Sequence, residues 1–297
     1  MAVALALLAA TSNAGASVLQ RHAARAVPDE LEFHLSLVWA LIRNPVWLYG
    51  IGALILGFVF QAGALGVGGL ALVQPIMTVE LPITMVLLSW AFGIVLDRRS
   101  WLAVGALTVG LAMFLVAASP QAGHRLPGAG SWLLALTVTS GTILALEVVA
   151  RLFVGPGPAR AAILGTAGGL GFAFTATLIK ETVGILRGDP GMLPFSWQPY
   201  AMVAAGLYSV FLLQNALHSG TLVAAQPALT ISDPVAGILY GTLMFGEPVR
   251  SGPWIVMEVA GAAIVGWGII VLAQSPPIRA QEAAAARKRD LPGPATR

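Results

Sequence analysis

Three observations predict an all-α fold class, a polytopic membrane helix bundle: an apolar composition, about nine apolar stretches of spanning length, and one motif written in each half of the chain. Of 297 residues, 57% are hydrophobic and only 10% charged, and the mean hydropathy is +0.84. Too few polar side chains remain to coat a water-facing surface, so the lipid bilayer is the expected solvent. A hydrocarbon core of about 30 Å takes roughly 20 apolar residues per helix. Stretches near 1–20, 46–66, 70–95, 101–118, 130–150, 158–184, 198–217, 220–245 and 253–274 meet that requirement.

The repeated motif sets the organisation. Gln74-Pro75-Ile76-Met77-Thr78-Val79-Glu80-Leu81-Pro82 is answered by Gln226-Pro227-Ala228-Leu229-Thr230-Ile231-Ser232-Asp233-Pro234, with a carboxylate near the second proline in both copies. The match extends upstream, where Phe60-Gln61 answers Leu213-Gln214, and downstream, where the Gly105 to Gly110 stretch answers Gly261 to Gly266. A fainter match pairs Ala16 to Gln20 with Ala176 to Lys180. These define a first transmembrane repeat over 1–118, a linking helix and loops over 119–157, a second repeat over 158–274 and a tail over 275–297. An odd number of spans between the copies gives them opposite orientations, the inverted-repeat plan of secondary transporters. The helices at 70–95 and 220–245 should then cross near the membrane centre.

Charge supplies the orientation. With the N-terminus outside, Arg125, Lys180, Arg187 and Arg250 lie outside, and the other twelve of the sixteen Lys and Arg lie inside or in the tail. That positive-inside bias puts the C-terminus in the cytoplasm and the protein in the cytoplasmic membrane as a multi-pass species. The sequence pI near 9.7 does not imply nucleic acid, since the basic residues form no stripe. The first stretch carries Ala14-Gly15-Ala16, which looks like a signal cleavage site, but its charges follow the apolar run; a retained span is the reading. Residues 24–45 hold the short apolar run Leu35 to Ile42, read as an interfacial piece, with a further membrane segment over 31–43 left open. The turn-rich stretch around 185–197 is expected to be an exposed outer loop, and Arg287-Lys288-Arg289 in the tail an anchor near anionic lipid.

Several functions are excluded or disfavoured. Cysteine is absent, and His22, His34, His124 and His218 fall at or beyond span ends with no ligand spacing, so no metal site is expected. No P-loop motif is present, which rules out an internal ATP motor. The glycines from Gly165 to Gly171 follow no strand, and close helix packing accounts for them better than a nucleotide loop. Neither enzymatic activity nor a cofactor is expected.

The candidate binding residues are those the bilayer makes costly. Glu80 and Asp233 both fall near the midplane, where a carboxylate costs on the order of 3 kcal/mol on insertion scales and by default marks a substrate or ion pathway. Gln226, Thr230 and Asp233 share one helical face, while Glu80 is turned away from Gln74. Thr78 completes the first copy of the motif. Pro75, Pro82, Pro227 and Pro234 are structural kinks, and the carbonyls they leave unpaired are tolerated at this depth only when buried or lining a cavity. Gln61, Gln214, Asn215 and, within a Thr-Ser-Asn cluster, Asn13 are midmembrane donors and acceptors that suit either substrate contact or interhelical hydrogen bonding. Glu147 and Arg151 are placed for a salt bridge within one helix, and the Lys180-Glu181 pair and Glu258 for snorkelling at helix ends.

The Gln-Pro helix followed by Leu243-Met244-Phe245-Gly246-Glu247-Pro248 and the glycine-spaced helix through Gly261 and Gly266 resembles the second repeat of the drug/metabolite transporter superfamily, the EamA-type proteins. The first half, Phe60-Gln61-Ala62 to Leu72-Val73-Gln74-Pro75, is similar to an actinobacterial branch of that superfamily and more distantly to NIPA-type magnesium transporters. The resemblance implies a polytopic transporter with a central cavity between repeats. Typical members have ten helices with both termini inside, against about nine here, and the Gly-Glu turn of the second half is Leu96-Asp97-Arg98 in the first.

The expected function is therefore secondary transport of a small molecule by alternating access, coupled to protons or ions. A divalent-cation permease and a non-transporting membrane scaffold are the alternatives. Expected partners are the small-molecule substrate or ion and the lipid bilayer, with no nucleic acid; a homodimer is left open.

Overall fold

The computed structural model describes residues 1–25, 44–92, 97–123, 125–219, 222–250 and 252–273. The expectations for 26–43 and for the tail lie outside the described residues. The chain is all-helical, with no strand among the described residues. Among the described residues ten α-helices follow in order: α1 (Ala2–Arg25), α2 (Pro45–Val67), α3 (Leu70–Met77), α4 (Glu80–Phe92), α5 (Arg98–Ala118), α6 (Ala129–Leu152), α7 (Pro158–Gly188), α8 (Gln198–Ser219), α9 (Leu222–Phe245) and α10 (Ile255–Ala273). Counting α3 and α4 as one span, nine helical stretches among the described residues are long and apolar enough to cross a membrane.

The helix ends follow local chemistry. Asn44 accepts from the Val46 amide at 2.9 Å, and Pro45 supplies a first-turn residue that has no amide to leave unpaired. Asp97 caps α5 by accepting from the Ser100 amide at 3.0 Å and its hydroxyl at 2.6 Å. Gly246, at φ +62°, turns the chain after α9 in a left-handed conformation that costs a glycine nothing.

Helix α7, 31 residues long, runs through the middle of the bundle between α8 and α9. Apolar tails surround all transmembrane helices alike, so their association rests on close packing rather than on hydrophobic expulsion from water. Small residues make that contact possible here. A Cβ on Gly165 would lie 2.5 Å from the Ala225 carbonyl oxygen of α9, and one on Gly169 would lie 2.7 Å from that of Leu229. The expected packing role of this glycine stretch is what the structure displays. On the outside, Leu54, Ile55, Leu56, Leu133, Leu134, Val256 and Val259 are exposed, as lipid-facing positions should be.

The helix pairing has a pattern. Helix α1 packs on α2 and on the α3–α4 arm, and α7 packs on α8 and on α9. Helices α5 and α10, last of each proposed repeat, pack on each other, with Gly110 and Gly261 at their closest approach and Ala103, Leu107, Ile269 and Leu272 buried between them.

Two expectations change. The 70–95 stretch is not one kinked helix but two, since α3 stops at Met77 and α4 begins at Glu80. The 185–197 stretch is largely exposed, as expected, but it is helical rather than irregular: α7 continues to Gly188, and a 3-10 turn follows over Pro190–Phe195, with Asp189 accepting from the Gly191 amide at 3.0 Å.

Candidate binding site at the broken helix

The break between α3 and α4 comes from the motif itself. Pro75 and Pro82 have no amide to donate, so the ladder lacks two bonds within eight residues of Gln74. Between them the backbone tightens: the Thr78 amide donates to the Pro75 carbonyl at 3.2 Å and the Val79 amide to that of Ile76 at 3.0 Å, three residues back. The Thr78 hydroxyl also donates to the Pro75 carbonyl, at 2.7 Å, which consumes this side chain locally. Glu80 thereby becomes the first residue of α4, at a helix N-terminus whose dipole favours a negative charge. Its carboxylate accepts from Asn13 Nδ2 of α1 at 3.3 Å, and Gly57 of α2 leaves the space in which Asn13 lies.

The second carboxylate arrives from the other half. Asp233, on α9, accepts from Gln74 Nε2 of α3 at 2.9 Å. Gln74 is buried, and it fits because Gly237 faces it: a Cβ there would come within 2.9 Å of Gln74 Cβ. The other amide atom of Gln74, Oε1, is buried with no hydrogen-bond partner. Asn13–Glu80 and Gln74–Asp233 thus form a polar group of two bonded pairs flanking the helix break, one between α1 and α4 and the other between α3 and α9.

The carboxylates are not equivalent by repeat. Aligning Gln74 with Gln226 places Glu80 opposite Ser232, and Leu81 opposite Asp233. Ser232 faces α7, donating to the Thr166 carbonyl at 3.3 Å, much as Glu80 faces α1. Asp233 has no acidic counterpart, so the apparent duplication of the acid is two different residues near the same place.

Other candidates lie apart. Thr230 is buried and Gln226 half-buried on α9, and neither hydrogen-bonds to Asp233, with which they share a helical face. Gln61 is half-buried on α2. Gln214 is exposed on α8, and Asn215 donates to the Phe211 carbonyl of its own helix at 2.8 Å, so the α8 pair does not join the group. Pro227 and Pro234 sit inside a helix that stays continuous. The Glu147–Arg151 bridge forms as expected, at 2.7 Å, and Tyr208 donates to the same carboxylate.

Sequence reasoning missed a second polar group. Glu247, of the Phe-Gly-Glu turn, is buried and caps α3: its two carboxylate oxygens accept from the Leu70 and Ala71 amides, each at 2.8 Å. Lys180 of α7 forms an ion pair with it, reaches the Gly68 carbonyl at 3.4 Å and lies 4.6 Å from the centre of the Phe245 ring. The expectation that Lys180 snorkels at a helix end is therefore wrong; its side chain turns inward because Glu247 is there. The signal was available, since one lysine within an apolar span and one glutamate after another span each need a partner in a medium of low dielectric.

No family model matches the chain, and no solved structure matches it. An uncharacterized protein of Corynebacterium glutamicum is 28% identical over 268 residues, covering 88% of this chain and 90% of that one. The chain is similar to that relative along nearly its whole length rather than over one motif.

Proposed function

We propose that this protein is a secondary transporter that moves a cationic or hydrogen-bond-donating solute across the cytoplasmic membrane by alternating access, exchanging it against protons at Glu80 and Asp233. The observation that carries this reading is the helix break, with two carboxylates and an unpartnered buried amide oxygen beside it. Interrupted helices at membrane depth are tolerated where they are buried or line a cavity, and transporters use them to hold ions and substrates. When ionised, this group offers the carboxylates and Gln74 Oε1 as acceptors, and no Lys or Arg among the described residues forms a salt bridge with either acid. A solute bearing positive charge or donors would supply what is missing, and protons would replace it on the return half of the cycle. The two amide donors already engaged with the carboxylates make a bare divalent cation, which takes six or more oxygen ligands, a poorer fit. The Arg and Lys distribution supports an orientation with the Glu247 end outside.

The test is thermal stability of the purified protein against panels of organic cations, neutral solutes and carboxylates at an acidic and an alkaline pH. Stabilisation by cations, stronger at alkaline pH and lost in Asp233→Asn, is expected. Stabilisation by anions alone would contradict the reading.

A further inference from the structure

Resting on alternating access as proposed above, we infer that Glu247 and Lys180 form a gate that holds one end of the bundle closed, and that opening at that end requires their separation from the start of α3. The termini that meet there are the beginning of α3, the last third of α7 and the end of α9. Each contact of the Glu247 carboxylate crosses between the proposed repeats or joins the two helices of the second: Leu70 and Ala71 belong to the first, Lys180 to the second. The Glu247 side chain is fully enclosed. A Cβ on Gly69 would lie 2.5 Å from a Glu247 carboxylate oxygen, and one on Gly241 would lie 3.1 Å from the Ala71 amide nitrogen, so the backbones of α3 and α9 are closed down around the acid.

The segment between α5 and α6 is tied to the same turn. The Arg125 amide donates to the Phe245 carbonyl at 3.2 Å, the Gln121 amide to that of Pro248 at 3.3 Å, and the Arg250 amide to that of Ala118 at 2.8 Å. The other end of the bundle differs. In the first half the acid near the matching register, Asp97, is spent on its own helix, bonded to Ser100, and Gln20, which answers Lys180 in the repeat, packs against Gly50. Among the described residues no salt bridge joins the two repeats there. An uncompensated buried charge is costly, so the Glu247 contacts are made together or lost together. Such all-or-none behaviour gives an end of the bundle two discrete states.

The test uses the absence of native cysteine. Val73 of α3 and Ala225 of α9 are both fully buried and occupy the same position of the repeat, one turn from opposite ends of the two arms. Val73→Cys and Ala225→Cys are made singly, each with the native gate, with Glu247→Gln, and with Glu247→Gln plus Lys180→Met, which removes both charges. The proteins are placed in lipid nanodiscs, where both faces meet a water-soluble maleimide. Loosening the gate is expected to raise the labelling rate at Val73→Cys about tenfold while that at Ala225→Cys falls or holds, since one end opens at the expense of the other. Labelling that rises at both sites would show a clamp that only maintains the fold, and labelling unchanged at both would show no gate; either overturns the inference. Neither readout requires a cargo, so the gate can fail while the proposed transport reading stands, and the reverse.

Discussion

The two copies of the Gln-Pro motif differ in what they build. In the first half the motif breaks the helix into α3 and α4, and in the second it runs through continuous α9. Both carry the two prolines, so missing amide donors do not by themselves break a helix. Two side chains from outside the motif explain the difference. Asn13 holds Glu80 toward α1, and Glu247 fixes the start of α3 from the other repeat. The difference teaches that a duplicated motif fixes where a chain is weak in hydrogen bonds, while its neighbours decide whether the weakness becomes a break.

The same comparison explains why one glutamine is paired and its twin is not. Gln74 reaches Asp233 across Gly237; in the first half the residues at those registers are Leu81 and Met85, which carry no acceptor and pack with Ala103, Leu107, Ile269 and Leu272 instead. Gly237→Leu should therefore expel Gln74 and destabilise the protein by about 1–3 kcal/mol, the usual cost of overpacking, whereas Met85→Leu should cost less than about 1.5 kcal/mol. Denaturation of the two variants side by side in detergent checks this. Equal losses would break the asserted asymmetry between the arms.

A smaller effect sharpens it at the helix caps, where Asp97 serves its own helix and Glu247 serves another's. Asp97 lies just outside α5, and its hydrogen bonds from the Ser100 side chain and backbone hold its carboxyl below the usual carboxylate range. A depressed folded-state value means the contribution is complete above the ordinary carboxylate range and disappears as pH falls through the depressed value. Melting temperatures of the native protein and Asp97→Asn should thus differ slightly near neutrality and converge in acid. A gap that widens on acidification would contradict the cap.

Much of the fold was legible because membrane helices announce themselves by length and composition, and the nine spanning stretches among the described residues followed directly. The break at Thr78 was not legible, because proline spacing is the same in both halves and only tertiary partners separate them. Of the site, Glu80, Asp233, Gln74 and Asn13 were readable as polar residues at costly depth. Their partners were not: a helical wheel relates residues within one helix, so it grouped Asp233 with Gln226 and Thr230 on α9 and could not pair it with Gln74 on α3. Gln214 was misjudged because depth in the bilayer says nothing about which way a side chain faces. Glu247 escaped because a Gly-Glu turn reads as a helix end, and the buried helix start that it caps is distant in sequence.

The central claim is that Asp233 carries charge through a transport cycle. Charge displacement on a solid-supported membrane, recorded after a step in pH or in cation concentration, measures it most directly. The native protein should give a transient current, and Asp233→Asn, inserted and folded to the same extent, should reduce it at least about a hundredfold, because an amide keeps the Gln74 contact but cannot take up a proton. A current of native size from well-folded Asp233→Asn would remove the residue from the mechanism and contradict the account.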